Sequence, residues 1–285
     1  MRTGIAVLLA VASALAFAVA SVGQQRAAAR TSDQDARDGR FFLQLLRDPK
    51  WLAATGGNAV GYVLQGAALG VGSVVVVQPI LVTALLFALP LSARLSHERV
   101  PANVVLSGLL LTASLSVFEV LGNTSKGVSH GGYQGWLIVA AIGVPIVAGC
   151  LILARARHGA VRAAMLAIAV GLLGGVLAVL TKSVVDAGAG GLGQLVGAGE
   201  TYGLIVVGVA GIYLQQLAFQ AGALRTSLPI MTVLEPLVAA VLGLTLLHEH
   251  VQSGGLRLSA VLLSAALATA ATVALARAQA GAPTS

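Results

Sequence analysis

Near the middle of an apolar run from Ser227 to Leu247, the chain places a carboxylate followed at once by a proline, Glu235-Pro236. The run is long enough to cross a bilayer, and an acidic side chain at the centre of such a helix costs on the order of 2.5–3.5 kcal/mol on insertion scales. Hydrocarbon penalises the deprotonated form, so the group is neutral when isolated and charged when paired with a cation. That behaviour suits proton coupling or cation binding. Pro236 lacks the N–H of the usual helical bond, which frees a carbonyl one turn earlier and favours a kink. Pro229 adds a second interruption to the same run. An intramembrane acid of this kind is a candidate functional group; the other reading is a protonated glutamate hydrogen-bonded for packing alone.

Two polar stripes have helical spacing. Asn58, Tyr62 and Gln65 stand at i, i+4 and i+7, and Tyr213, Gln216 and Gln220 at i, i+3 and i+7, with Gln215 beside them. Such stripes face other helices or a cavity rather than lipid. They either line a solute site, where amides orient a polar substrate and tyrosines pack it, or act as glue between helices. Gln78-Pro79 resembles the Glu-Pro pair in kind, with Pro79 as a third helix breaker. Glu119, Lys182 and Asp186 lie near the ends of apolar runs, where side chains can reach the interface.

Other signals carry less. Gly188–Gly193 fits G-x-G-x-x-G, but it follows an apolar helix rather than a strand, which speaks against a dinucleotide site. His248-Glu249-His250 lacks the H-E-x-x-H spacing, and side chains at i and i+2 diverge on a helix. Asn123-Thr124-Ser125 matches a glycosylation acceptor. Cys150 is the only cysteine, so neither a disulfide framework nor a thiolate metal site is expected. No arrangement of serine, cysteine or paired aspartates suggests an intramembrane protease. We expect no enzymatic activity, no cofactor and no metal site.

The elements that must hold Glu235 are set by composition. The chain has 285 residues, 57% hydrophobic and 9% charged, against about 25% charged in a soluble domain. That is the composition of an integral membrane protein. The net charge of +7 does not indicate nucleic acid, because no Lys/Arg run is interleaved with aromatics. Apolar runs of span length recur at 4–22, 52–71, 73–93, 103–121, 134–154, 162–182, 203–221, 227–247 and 258–276. The fold expected is therefore all-α, a polytopic bundle of about nine transmembrane helices. The first run, with Arg2 before it and "AVAS" at 18–21, has a signal-peptide reading, but its length favours a retained helix.

Assigning the cations alternately to the two sides leaves Arg2, Lys126, Lys182 and Arg257 on one side and the other thirteen on the opposite one. Positive charge stays inside, so the N-terminus is expected outside and the C-terminus in the cytoplasm, in the cell membrane. The longest polar stretch, 23–50, contains a capping-box-like Ser32–Asp35 and apolar positions Phe41, Phe42, Leu45 and Leu46. It reads as an amphipathic interfacial helix or as a charged loop.

A repeat emerges at an offset of 150 residues. "GYVLQGAALGVGSVVVVQPI" (61–80) matches "GIYLQQLAFQAGALRTSLPI" (211–230), and "HERV" (97–100) meets "HEHV" (248–251) after one inserted residue. Residues 1–125 then form a first half of four spans, 126–158 a connecting span and 159–285 a second half. Equivalent helices are an odd number of spans apart, so the halves must run in opposite senses. Such inverted duplication places a solute site near the midplane.

These residues resemble the drug/metabolite transporter superfamily. "SLPIMTVLEPLVAAVLGLTLLHEHV" is similar to the EamA-type pattern, in which a proline early in a helix precedes a glutamate at its end, here Pro236 and Glu249. "GGVLAVLTKSVVD" (174–186) resembles the helix that opens an EamA second half. The order "GQQRA", "LLRDPKWL" and "VVQPILVTALL" is similar to the NIPA-like magnesium-transporter branch. The resemblance implies secondary transport of a small solute by alternating access, with protons or a cation as coupling partner. Magnesium transport and a non-transporting membrane scaffold are the alternatives. A water-accessible cavity reaching Glu235 speaks for transport, and a glutamate sealed between helices for the scaffold.

Overall fold

The computed structural model describes residues 2–31, 41–72, 74–96, 101–121, 132–222, 224–247 and 255–280, and among them every regular element is an α-helix. In chain order these are α1 (Arg2–Ala28), α2 (Phe41–Arg47), α3 (Pro49–Val71), α4 (Val74–Val82), α5 (Ala84–Leu95) and α6 (Ala102–Leu121). They continue as α7 (Tyr133–Arg155), α8 (Gly159–Ala189), α9 (Leu192–Gly197), α10 (Gly199–Ala221), α11 (Leu224–Leu246) and α12 (Gly255–Ala280). Five are long and apolar enough to cross a membrane: α1, α7, α8, α10 and α11. Shorter apolar stretches occupy Pro79–Leu95, Ala102–Phe118 and Ser259–Leu275. The chain is an all-helical membrane protein.

Nine full-length apolar spans were expected, and among the described residues four of them fall short: the fourth and ninth persist as the shorter stretches 102–118 and 259–275, and the second and third differ for local reasons. The third is broken at Thr83, whose N–H (3.0 Å) and Oγ1 (2.5 Å) both donate to the Ile80 carbonyl, turning the chain between α4 and α5. The second forms as α3 over 23 residues, but Lys50, its glycines and the Asn58 stripe keep it less apolar than the five. Its start is well specified. Asp48 is the N-cap and accepts from the Lys50 N–H at 2.8 Å, while Pro49 fills a position that needs no donor.

Small residues let the helices approach closely, as packing in lipid requires. Ala6, Ala10, Ala14 and Ala18 recur every fourth residue on α1 and all are buried. Against α1 the chain runs α3 antiparallel, with Gly72 beside Ala6 and Gly23 beside Ala54. Midway, Ser13 Oγ donates to the Gly61 carbonyl at 2.8 Å. α8 holds α11 by the same means, and α6 pairs with α12 through Leu111, Leu115, Ala268, Ala271 and Leu275. α7 packs chiefly on α8 and leaves Leu137, Ile138, Ile142 and Ile146 exposed.

The repeat has a counterpart in the helices. α3 and α10 begin and end 150 residues apart, and α4 and α11 begin 150 apart. A Cβ added at Gly72 would meet Ala6 of α1, and one added at Gly222 would meet Ala163 of α8. Yet α3 finishes beside Ala6, near the start of α1, whereas Gly222, after α10, accepts from Gln25 Nε2 (3.5 Å) near its end. The two helices end at opposite ends of α1. The "HERV" and "HEHV" segments and Asn123–Ser125 lie outside the described residues.

The polar stretch 23–50 divides. Its first residues extend α1, the Ser32–Asp35 box lies outside the described residues, and α2 covers seven residues. Phe41 and Leu45 are buried in the main core, and Phe42 stands edge-on to Trp51 and Tyr213, so this short helix packs on the bundle. Gly188–Gly193 joins α8 to α9, and Gly191 there adopts φ 103°, a conformation glycine tolerates.

A Cβ at Gly175 would stand 2.5 Å from Val238 Cβ and 2.9 Å from the Ala239 nitrogen, whereas one at Gly149 meets nothing within 4 Å. Gly149→Ala should therefore gain up to about 1 kcal/mol of helix propensity. Gly175→Ala should lose roughly 1–3 kcal/mol by forcing α8 from α11. Thermal unfolding of the two purified variants in detergent checks the opposite signs.

Candidate functional site

Glu235 is the central residue of α11, with eleven residues on either side. At 1.5 Å per residue it stands about 16 Å from each helix end. Beside it opens a cavity of about 640 Å³. Its walls come from both halves of the chain: Phe17 and Ser21 of α1, Asn58, Tyr62 and Gln65 of α3, Phe118 of α6, Gln215 of α10 and Thr232 of α11. Leu81, Val82, Ala84 and Leu85, on both sides of the Thr83 break, also line it. The helix break at Thr83 and the proline inside α11, Pro236, therefore both adjoin the cavity.

Glycine on the neighbouring helix makes room for the carboxylate. A Cβ at Gly174 of α8 would lie 3.2–3.3 Å from Glu235 Cγ, Cδ and Oε2. Leu234 and Val238 sit over Gly171 and Gly175 in the same way, so three glycines on one face of α8 accept three successive contacts of α11. Despite this depth Glu235 is exposed, and its exposure is to the cavity. Tyr62 lines the same cavity as Glu235 and stands edge-on to Phe17, with ring centroids 4.9 Å apart.

Around the acid the groups are acceptors, amides and aromatic faces. Pro236 has no N–H to give the Thr232 carbonyl, and the Thr232 hydroxyl turns back onto the Leu228 carbonyl at 2.8 Å. Among the described residues lining the cavity none is lysine, arginine or histidine, and Glu235 carries the only formal charge. Such a site can bind or release a proton and can hold a cation.

The second stripe lies elsewhere. Gln216 is buried, accepts from Trp51 Nε1 at 3.0 Å and donates to Gln24 Oε1 at 3.3 Å. Gln24 in turn donates to Thr55 Oγ1 at 3.4 Å. Gln220 Nε2 donates to the Thr31 carbonyl at 3.3 Å, and Tyr213 meets Phe42 edge-on at 5.9 Å. Tyr213, Gln216 and Gln220 thus tie α10 to α1, α2 and α3 near the end of α1, away from the cavity. Pro79 and Pro229 lie inside α4 and α11 without lining it. The side chains of Gln78, Glu119 and Asp186, and all of Glu249, lie outside the described residues.

Sequence reasoning passed over Phe17, Ser21, Thr232 and Gly174. Thr232 had a signal, three residues before Glu235 on the same helix. The Gly174-Gly175 pair also marks a close helix contact. Phe17 and Ser21 had none, since which face of α1 meets the cavity is a tertiary fact.

No family model matches the chain, and no solved structure matches it. The protein is 38% identical over 249 residues to Uncharacterized protein Cgl0250/cg0304 of Corynebacterium glutamicum, covering 87% of this chain and 86% of the relative.

If the two stripes face different surroundings, thiol chemistry will separate them. In a Cys150→Ala background, Gln65→Cys and Thr232→Cys should react with a water-soluble methanethiosulfonate at least ten times faster than Gln216→Cys. Labelling rates in membranes, read by mass spectrometry, check this.

Proposed function

The chain belongs to the family of this Corynebacterium glutamicum protein, and we propose that it is a secondary transporter moving a small solute across the cell membrane by alternating access. The observation that carries this reading is the accessible cavity beside Glu235, halfway along a helix of span length. A scaffold has no use for an open cavity at that depth, where a charged group must be served by protein, water or a ligand.

The architecture supports the same reading. Equivalent helices α3 and α10, finishing at opposite ends of α1, are what two inverted-topology halves produce. The residues shared with the drug/metabolite transporter pattern agree with it. In this scheme the halves are 1–125 and 159–285, with α7 between them, and the shorter apolar helices complete about nine crossings. The N-terminus is outside and the C-terminus cytoplasmic, as the cation distribution requires. Glu235 is the coupling group, Asn58, Tyr62 and Gln65 contact the solute, and the Gln24–Gln216–Trp51 tie closes one end.

A screen of small solutes in a strain lacking the protein identifies a cargo, and reconstituted vesicles then test the coupling. Glu235→Gln should abolish the response of flux to an imposed pH gradient, lowering gradient-driven accumulation at least tenfold. Unchanged gradient-driven flux in the variant removes Glu235 from the mechanism.

A further inference from the structure

A groove separate from the Glu235 cavity opens at the C-terminal end of α1, where α3 begins and α5 ends. It has a volume of about 340 Å³ and shares no residue with that cavity. From α1 it takes Val19, Val22 and Gly23, then Arg26 and Ala27, spaced three and four apart as one helix face requires. Arg30 continues the line past the helix end, with its N–H on the Ala27 carbonyl at 3.3 Å. The stripe is therefore apolar in its first turns and basic in its last. From Val19 to Arg30 it runs about 16 Å along the axis, at 1.5 Å per residue.

Two other helices repeat the same division. Leu91 and Leu95 of α5 stand four apart and extend the apolar wall, while Lys50 of α3 joins the two arginines. Lys50 occupies the first turn of α3, where the positive end of the helix dipole disfavours a cation, so helix electrostatics do not explain its place. Among the described lining residues there is no acid, and the carboxylate of Asp48 beside it accepts from the Lys50 N–H. Val19 is 59% exposed and Leu95 40%. Since α1 is of span length, the apolar part of the groove opens sideways to lipid. Arg26, Arg30 and Lys50 are exposed at the end of that span, where headgroups lie.

We propose that this groove binds one anionic phospholipid, its phosphate held by Arg26, Arg30 and Lys50 and an acyl chain laid along Val19, Val22, Leu91 and Leu95. Guanidinium forks match phosphate oxygens in pairs, and basic pockets between membrane helices take charged headgroups. A soluble phosphate would use the cations and leave the apolar wall without a partner. A zwitterionic lipid would use the wall but bring its own cation against three others. The bound lipid bridges α5, which starts after the Thr83 break, to the α1–α3 pair. Nothing in this depends on the solute cavity, so its failure leaves the transport reading untouched.

The test is displacement of a phosphatidylglycerol carrying a fluorophore on its acyl chain from the full chain in detergent, at fixed ionic strength. The competitors are unlabelled phosphatidylglycerol, phosphatidylcholine with the same chains, and glycerol 3-phosphate. Phosphatidylglycerol should displace the probe at a concentration at least tenfold below phosphatidylcholine. Each cation near an anionic group contributes about fivefold, so Arg26→Gln/Lys50→Gln should erase that preference. Arg155→Gln/Arg157→Gln removes as much exposed charge beyond the groove and should keep it. Equal displacement by the two lipids, an equal loss in both double variants, or displacement by glycerol 3-phosphate at the concentration of the lipid overturns the proposal. Should Arg26→Gln/Lys50→Gln fail to fold, Arg30→Gln, beyond the end of α1, decides by a severalfold loss of the same preference.

Discussion

The structure depends on accommodating a carboxylate where lipid would otherwise surround it. Glu235 is as far from both ends of α11 as a residue can be, and an acid there is tolerable only if protein, water or a ligand meets it. Three features answer that demand together. Glycines on α8 bring the two helices close without filling the space of the carboxylate. Pro236 opens the backbone beside it. Tyr62 and the amides of α3 face it across the cavity. A leucine at 235 would pack α11 more cheaply, so the arrangement is explained by what the acid contacts.

Close packing by small side chains is the second constraint, and it determines which helices pair. Alanines on α1 and glycines on α3 bring those two into contact, and Gly171, Gly174 and Gly175 do the same for α8 and α11. Because lipid tails are as apolar as leucine, burial alone gives these contacts little driving force. Fit and local hydrogen bonds carry more of the burden. Bulky apolar residues such as Ile138 and Ile142 can therefore stay on the outside without penalty.

Much of this was legible in the residues and some was not. Composition and run length gave the helical membrane class, and the 150-residue offset anticipated the matched bounds of α3 and α10. Glu235 and the stripe Asn58–Tyr62–Gln65 stood out by type and spacing, and they meet at one cavity. Tyr213, Gln216 and Gln220 have the same spacing yet bond to Trp51, Gln24 and Thr31 or pack on Phe42. Periodicity reports which residues share a face, and only the neighbour decides whether that face meets space or another helix. The break at Thr83 was equally hidden, because Pro79 announces a bend without fixing where the helix restarts. The amphipathic reading of 23–50 missed that Phe41 and Leu45 have a core to enter.

The tie joining Trp51, Gln216 and Gln24 has no mirror image. The repeat maps Gln216 onto Gly66 and Trp51 onto Thr201, and the Ala6–Ala163 correspondence maps Gln24 onto Thr181. Thr201 and Thr181 turn their hydroxyls onto the Leu195 and Leu177 carbonyls of their own neighbourhood, and a Cβ at Gly66 would meet nothing within 4 Å. In a protein that rocks between two facings, the latch is then fitted to one door only. Three interhelical hydrogen bonds at ~0.6 kcal/mol each tilt the resting population by roughly twentyfold toward the latched facing. In a carrier so biased, the two facings would differ in population and in apparent affinity for cargo, while net flux without a gradient would stay zero.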